Sequence, residues 1–374
     1  MIKFEKVRKV YPDGTEAIKS ISFEAKKGEF CILLGPSGCG KTTAMKMINR
    51  LIPISEGKIY INGQDNTKID ENELRRGIGY AIQQIGLFPH MTVKENIQTV
   101  PVLREWPKEK MEKRVKELMY LIGLDPSIYL NKYPAELSGG EMQRIGVARC
   151  LGADPPILLM DEPFGAIDPI NRGKLQDEFL KIQAKIKKTI IFVTHDIDEA
   201  IKMGDKIVLM KEGEIVDYDT PSNLLYRAKN EFVRNFMGTD RALKGLQLMR
   251  VKEILDNSPK TVRVDEEITK AKSYMEQEKI RWLIVIDDKN KFMGWLGRAD
   301  LDNKKGKKVK DIMIPPTVSA TTETPLNEAL SLMLGSALGD LVIVDNKNEV
   351  EGVVNFNSIR GVLEKIYNNR EEKK

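Results

Sequence analysis

The residues in this chain best placed to do chemistry are Lys41 and Thr42. They close a glycine-rich turn, Gly35-Pro36-Ser37-Gly38-Cys39-Gly40, that separates an apolar run (30–34) from a stretch carrying Ala44, Met47, Ile48 and Leu51 at helical spacing. The pattern G-x-x-x-x-G-K-[ST] suits a phosphate, because glycines let the backbone turn several N–H groups inward without side chains in the way. A helix expected over 41–51 then aims its positive end at the anion. Lys41 would reach the outer phosphates, the Thr42 hydroxyl would be a magnesium ligand, and Thr43 completes the cradle. Cys39 lies inside the loop, where inward N–H groups and Lys41 are expected to favour thiolate. Alkylating it is therefore expected to abolish nucleotide binding.

Further along, Ile157 to Met160 read as a buried parallel strand ending in Asp161-Glu162. Carboxylates at the carboxyl end of such a strand stand where open α/β sheets bind ligands. Asp161 is placed to hold magnesium through water, and Glu162 to polarise the attacking water. A second strand, Thr189 to Thr194, ends at His195, one of only two histidines, where a γ-phosphate oxygen would need a donor. Gln83 follows the strand pattern of 78–82, and its amide could touch the metal or the water. Ser138-Gly139-Gly140-Glu141 open a helix with exposed N–H groups, a second anion site that also reads as a capping box. Tyr11, before the Pro12-Asp13-Gly14 turn, is a candidate adenine-stacking platform.

At 374 residues the chain has room for two or three domains. Its net charge of +5 is spread over 31% charged residues of both signs, which indicates a mixed surface and no nucleic-acid partner. The opening Met-Ile-Lys-Phe-Glu-Lys lacks the apolar core of a signal peptide. No apolar run approaches the ~18 residues of a membrane helix, so a cytosolic protein is expected. Cys31, Cys39 and Cys150 have neither metal-ligand nor disulfide spacing.

Gly35 to Thr42, Gln83, Leu137 to Glu141, Ile157 to Glu162, Gly165 to Asp168 and His195, in this order, resemble the Walker A loop, Q-loop, signature, Walker B, D-loop and switch histidine of ATP-binding cassette ATPases. Glu141 and Ile167 stand where glutamine and leucine are usual. The resemblance covers 1–237 and implies a P-loop core with antiparallel β and helical subdomains. It also implies a homodimer in which two ATP molecules lie between the Walker A loop of one copy and Ser138, Gly139, Gly140, Glu141 and Asp168 of the other. Catalysis would fall to Glu162, His195 and Gln83, and magnesium to Thr42, Gln83 and Asp161. Cassettes that act on DNA carry a coiled coil between Lys41 and Ser138, and ribosomal ones carry two loops of the Lys41 type. Here only 97 positions without heptads separate the two residues, and there is one such loop. The stretches 78–92 and 45–51 resemble ATPase subunits of quaternary-amine importers (glycine betaine, carnitine, choline). That implies a permease, an extracytoplasmic binding protein met indirectly, and a peripheral place on the cytoplasmic face of the membrane.

Past residue 237 the chain repeats itself. Leu283-Ile-Val-Ile-Asp287 answers Leu341-Val-Ile-Val-Asp345, Gly294 answers Gly352, and Thr261-Val262 answers Thr317-Val318 with a slip. Each unit reads as strand, helix, strand, turn, strand, helix. The pair resembles tandem cystathionine-β-synthase (CBS) domains, 250–307 and 308–370, which implies an α/β fold and binding of adenine nucleotides, cyclic di-AMP among them. Asp300 keeps the usual aspartate, but Gly297, Asn355 and Ser358 depart from the pattern. The basic run 303–310, with Lys304, Lys305, Lys307 and Lys308, is a candidate salt-sensitive contact with anionic lipid.

Overall fold

The computed structural model describes residues 1–82, 86–165, 167–303, 306–336 and 339–368. Two compact units divide it. One comprises Met1–Leu224 with Ala228–Met237, the other Leu225–Arg227 with the residues from Gly238 on.

In the first unit, alternating apolar residues bend two long strands, β1 (Ile2–Val10) and β2 (Glu16–Ala25), about the Tyr11 to Thr15 turn. They join β4 (Glu56–Ile61) and β5 (Gln64–Asp65) in an antiparallel sheet of order β2-β1-β4-β5. The second sheet follows from four runs too apolar to alternate: β3 (Phe30–Leu34), β7 (Ile157–Asp161), β8 (Thr189–Thr194) and β9 (Lys206–Lys211). With β6 (Ile78–Ala81) and β10 (Glu214–Asp219) they form the order β10-β9-β3-β8-β7-β6. All pairings there are parallel except β9 with β10. Burial on both faces is what continuous apolar strands require. Each fully buried Ile, Leu or Phe contributes roughly 1.5–3 kcal/mol.

The helices that matter for the site are α1 (Lys41–Ile48), α2 (Val93–Leu103), α3 (Lys108–Leu121), α4 (Gly139–Leu151), α5 (Pro169–Ile186) and α6 (Ile197–Met203). The first of them stops three residues short of the expected Leu51. Asn49 caps it, Arg50 turns to φ 50°, and Leu51 is left exposed while Ala44, Met47 and Ile48 are buried.

The second unit holds β11 (Thr261–Arg263), α7 (Ile268–Gln277), β12 (Trp282–Ile286) and β13 (Phe292–Gly297), then α8 (Leu326–Ser336), β14 (Asp340–Val344), β15 (Val350–Asn355) and α9 (Phe356–Asn368). The repeat is visible as reciprocal bonding between the two turns. Asn290 Nδ2 donates to the Val350 carbonyl and Asn348 Nδ2 to the Phe292 carbonyl, the second pair lying 58 positions from the first. Both asparagines take the left-handed conformation. The leading strand expected at Thr317-Val318 is the exception. There the chain makes only an isolated parallel bridge, Ala320 to Ile343, past the Pro315-Pro316 pair.

Candidate functional site

The sheet order explains the site. Strand β3 lies between β9 and β8, and β7 lies beside β8, so the loops leaving the carboxyl ends of β3, β7 and β8 meet at one edge. A cleft of about 360 Å³ opens there, lined by Ser37, Gly38, Lys41, Thr42, Glu162 and His195 among others.

Gly35 leaves β3 at φ 153°, with the backbone of Met210 packed where a Cβ would stand. Gly40, at φ 101°, forms the N-cap of α1 and has the Ala17 carbonyl oxygen 2.6 Å from the position of a Cβ. Among the described residues no side chain caps α1, so its first N–H groups can be offered to an anion. Buried Lys41 donates from Nζ to the carbonyls of Gly35 (2.7 Å) and Pro36 (2.8 Å), so the loop is pinned by the cation it would offer a phosphate. The Thr42 hydroxyl donates to Asp161 Oδ1 at 3.0 Å. Burial, chiefly, holds the Asp161 carboxyl above the ordinary aspartate range, with neighbouring Glu162 adding to the effect. A hydroxyl and a desolvated carboxylate converging beside a phosphate cradle are hard oxygen donors, and they fit Mg²⁺.

Glu162 takes φ 45°, an unusual conformation for a glutamate, and its N–H donates to the Val193 carbonyl on β8 (3.0 Å). This orients its side chain toward the next loop, where Oε1 lies 3.2 Å from His195 Nδ1. Tyr11 is half-buried, its hydroxyl 3.5 Å from Thr43 Oγ1, which sets its ring beside the start of α1. Gln83 lies outside the described residues.

Cys39 is a correction. It is only 2% exposed, and burial pushes its thiol up despite the opposing pull of Lys41 (Nζ to Sγ 3.9 Å). The thiolate expected from the loop's positive field is disfavoured instead, because the low-dielectric pocket outweighs one amine that is already engaged with two carbonyls.

Ser138 to Glu141 form a complete capping box at the head of α4: Glu141 N–H donates to Ser138 Oγ (3.4 Å) and Ser138 N–H to Glu141 Oε2 (2.7 Å). The Ser138 hydroxyl also donates into that carboxylate (2.8 Å), and the Tyr129 hydroxyl donates to its other oxygen (2.6 Å). These bonds, Tyr129's foremost, lower the Glu141 carboxyl to about 2. Gly139 has no heavy atom near a would-be Cβ, and Gly140 only the side chain of Leu175, so this helix end is open to a visitor. Asp168 is the N-cap of α5 and accepts from Asn171 N–H (3.1 Å).

Three features were not singled out from sequence. A groove of about 320 Å³ is lined by Tyr80, Ile82, Phe88, Val100 and Arg149, with the Arg149 guanidinium 4.6 Å over the Phe88 ring and bonded to the Gly86 carbonyl. Arg172, Gln176 and Glu199 connect α5 to α6. In the second unit a cleft of about 510 Å³ is lined by Asp256, Lys260, Arg281, Trp295, Asp340 and Asn355, residues of both repeats. Among the described residues the Trp295 indole N–H has no hydrogen-bond partner, and burial holds Asp340 above the ordinary aspartate range.

A mainly parallel sheet with this loop, this hydroxyl–carboxylate pair and these carboxyl-edge groups is the core of a P-loop nucleotide hydrolase. Comparison with known proteins narrows the class. The profile described as ABC transporter matches residues 18–165, and that described as CBS domain matches 251–304 and 309–365. The glycine betaine/carnitine/choline transport ATP-binding protein OpuCA of Bacillus subtilis is 45% identical over 97% of this chain and 96% of its own. The osmoprotectant import ATP-binding protein OsmV of Salmonella typhimurium is 44% identical over 97% and 96%. Among solved structures, the ATP-binding cassette MJ0796, a dimer bound to ADP and Pi, superposes with TM-score 0.53 at 34% identity, over 59% of this chain and 99% of that one. CbiO1 of Clostridium perfringens, part of an ABC transporter complex, superposes with TM-score 0.56 at 28% identity, over 66% and 98%. The chain belongs to the ATP-binding subunits of ABC transporters that carry CBS domains, and it is an ATPase. Among the described residues no helix is long and apolar enough to cross a membrane.

Proposed function

We propose that this chain is the ATP-hydrolysing subunit of an importer for quaternary-amine osmoprotectants, working as a homodimer on the cytoplasmic face of the membrane beneath a permease. An extracytoplasmic binding protein would be met only through that permease. The carrying observation is the convergence of Lys41, Thr42, Asp161, Glu162 and His195 on one cleft, in a chain whose full-length relatives are named for glycine betaine, carnitine and choline. The Gly35 to Thr43 loop holds the phosphates and Tyr11 supports the base. Thr42 and Asp161, with Gln83, would hold magnesium, which when bound neutralises charge on the outer phosphates. Glu162 orients and polarises the attacking water, and His195, with Nδ1 3.2 Å from that carboxylate, is the donor offered to the γ-phosphate. Ser138, Gly139, Gly140, Glu141 and Asp168 serve the site of the twin, the one arrangement in which a chain with two separate anion sites uses both.

The domains follow as 1–237 for the cassette, 250–307 and 308–370 for the CBS pair. The apolar groove beside Phe88 and Arg149, with Ile82 exposed at its rim, is the surface offered to the permease. The cleft shared by the CBS repeats takes an adenine nucleotide, cyclic di-AMP included, with regulation as the outcome. The basic run 303–310 contributes an anionic-lipid contact. Lys308 and Lys310 are drawn toward Asp265 (3.4 and 2.8 Å), while Lys304 and Lys305 lie outside the described residues.

The test is ATP hydrolysis by the complex reconstituted with its permease. A quaternary-amine panel, added cyclic di-AMP, and anionic against neutral vesicles across a salt range form its arms. Stimulation by a quaternary amine alone is expected; stimulation by an unrelated solute sinks the cargo. A salt midpoint identical in both vesicle types sinks the lipid contact, and indifference to every adenine nucleotide sinks the regulatory cleft. Glu162→Gln should bind ATP, fall at least ~100-fold in turnover and accumulate as a nucleotide-locked dimer; near-normal turnover defeats the site assignment.

A further inference from the structure

His195 projects from a short loop between β8 and α6, and nothing in its own sequence neighbourhood explains why that loop should hold still. Its neighbours on both sides are tied to α5, the helix that Asp168 caps. Thr194 Oγ1 accepts from the Asp196 N–H (3.0 Å), so one hydroxyl spans the histidine. The same hydroxyl donates to Glu199 Oε2 (2.7 Å), and Glu199 Oε1 accepts from Gln176 Nε2 on α5 (3.1 Å). Thr194, Glu199 and Gln176 are all at least 94% buried. A second tie runs nearer the surface. Asp196, which caps α6 by accepting from the N–H groups of Asp198 and Glu199, stands 3.6 Å from Arg172 on α5. Arg172 Nη2 in turn donates to the carbonyl of Ile167 (3.0 Å), beside Asp168.

A buried carboxylate is expensive to keep unless its bonds are complete. Glu199 is not needed to make α6 a helix, since Asp196 caps that helix already. What its two bonds do is lock the segment 194–196 to α5 across 23 positions of chain. We propose that Glu199, Gln176 and Arg172 are positioning residues for the reaction: they hold His195 at its distance from Glu162 and make that placement depend on α5 and the Asp168 loop at its head. This rests on the reading of His195 given above. Binding of the nucleotide, which belongs to the loop after β3, does not pass through these residues. Their loss therefore falls on the chemical step and leaves affinity alone.

The experiment uses the full-length chain and measures single-turnover hydrolysis per bound ATP, with ATP affinity alongside. Glu199→Leu and Gln176→Leu are each expected to slow the rate per bound ATP by roughly 10- to 100-fold, as small misplacements of catalytic groups do, with affinity unchanged within about twofold. The double variant should be no slower than either single one, because both remove the same link. Glu199→Gln should recover most of the rate, since the Gln176 amide can turn to present its oxygen. Arg172→Gln, on the more exposed tie, should show a smaller loss of the same kind, and it decides the matter should Glu199→Leu fail to fold. A loss confined to the amount of ATP bound, with the rate per bound ATP intact, overturns the proposal. So does a Glu199→Gln variant as slow as Glu199→Leu, or additive losses in the double variant. Full turnover by His195→Ala would remove the premise itself, and it is distinguishable because the α5 variants would then have nothing to misplace.

Discussion

Asp161 shows at the scale of one residue how function sets the terms. Its carboxyl is almost fully buried, with a threonine hydroxyl and a second carboxylate for neighbours, and burial holds it above the ordinary range. An acid whose folded-state value is raised binds more protons folded than unfolded, so its ionisation weakens the nucleotide-free protein as pH rises from the ordinary aspartate range through the raised value. Asp161→Asn should therefore stabilise the apo protein at neutral pH, read as a higher melting temperature than the parent's. It should also abolish magnesium-dependent hydrolysis. Thermal melts against pH check this: the difference should close below the ordinary aspartate range, and a variant less stable at pH 7 sinks the account. The residues whose placement depends on local backbone were legible in the sequence, Lys41 and Thr42 because the glycine spacing fixes a turn, Asp161 and His195 because apolar runs end at them. Cys39 was misread, since its charge state depends on burial by β3 and α1 together, which no local spacing reports. Arg172, Gln176 and Glu199 looked like ordinary polar positions of two helices, and only the packing of α5 on α6 joins them.

At the scale of elements, the helix that opens at Ser138 carries a structural load beside the role proposed for it. Glu141 can only accept, so it engages the Ser138 hydroxyl and N–H and the Tyr129 hydroxyl at once. Its depressed carboxyl contributes stability that is present above the ordinary glutamate range and is lost as pH falls toward about 2. Glu141→Gln preserves a capping box but no charge. Denaturant unfolding should show it less stable than the parent at pH 7, with the gap narrowing between about pH 5 and pH 3; a gap that stays constant would mean that Glu141 is not the titrating group. Ser138→Ala removes the cap's hydroxyl and should cost about 1 kcal/mol at pH 7, less once the Glu141 carboxylate it donates to is protonated. The helix itself was readable from Ser138, Glu141 and the apolar period after them. Tyr129 was not, because it reaches Glu141 from a separate short helix, Pro126–Tyr129. The same limit explains α1: the amphipathic period runs on to Leu51, but Asn49 and Arg50 turn the chain first, and a side-chain pattern does not reveal where a backbone changes hand.

At the scale of the molecule, two units with their own cores share one chain. The first core gathers Ile2, Phe4, Leu33, Met47, Leu159 and Val193 from both of its sheets. In the second, Leu283, Val285 and Leu296 of one repeat and Leu341, Ile343 and Val354 of the other anchor separate clusters, and a third cluster joins Trp295 and Phe292 to Val342 and Val350 across the repeat. Cores built from different residues can melt apart, and a ligand stabilises only the unit it binds. Calorimetry of the full chain should therefore resolve two transitions. MgATP with the Glu162→Gln variant should raise one of them, by about 3 kcal/mol of stability at a hundredfold excess over Kd, and leave the other in place. An adenine nucleotide held by the cleft of the second unit should do the reverse. The two ligands thus report which unit each occupies without any appeal to turnover. A single transition moved by either ligand alone would mean that the two cores unfold as one, and any regulation by the second unit would then act by stabilising the first rather than by a signal passed between separately stable parts.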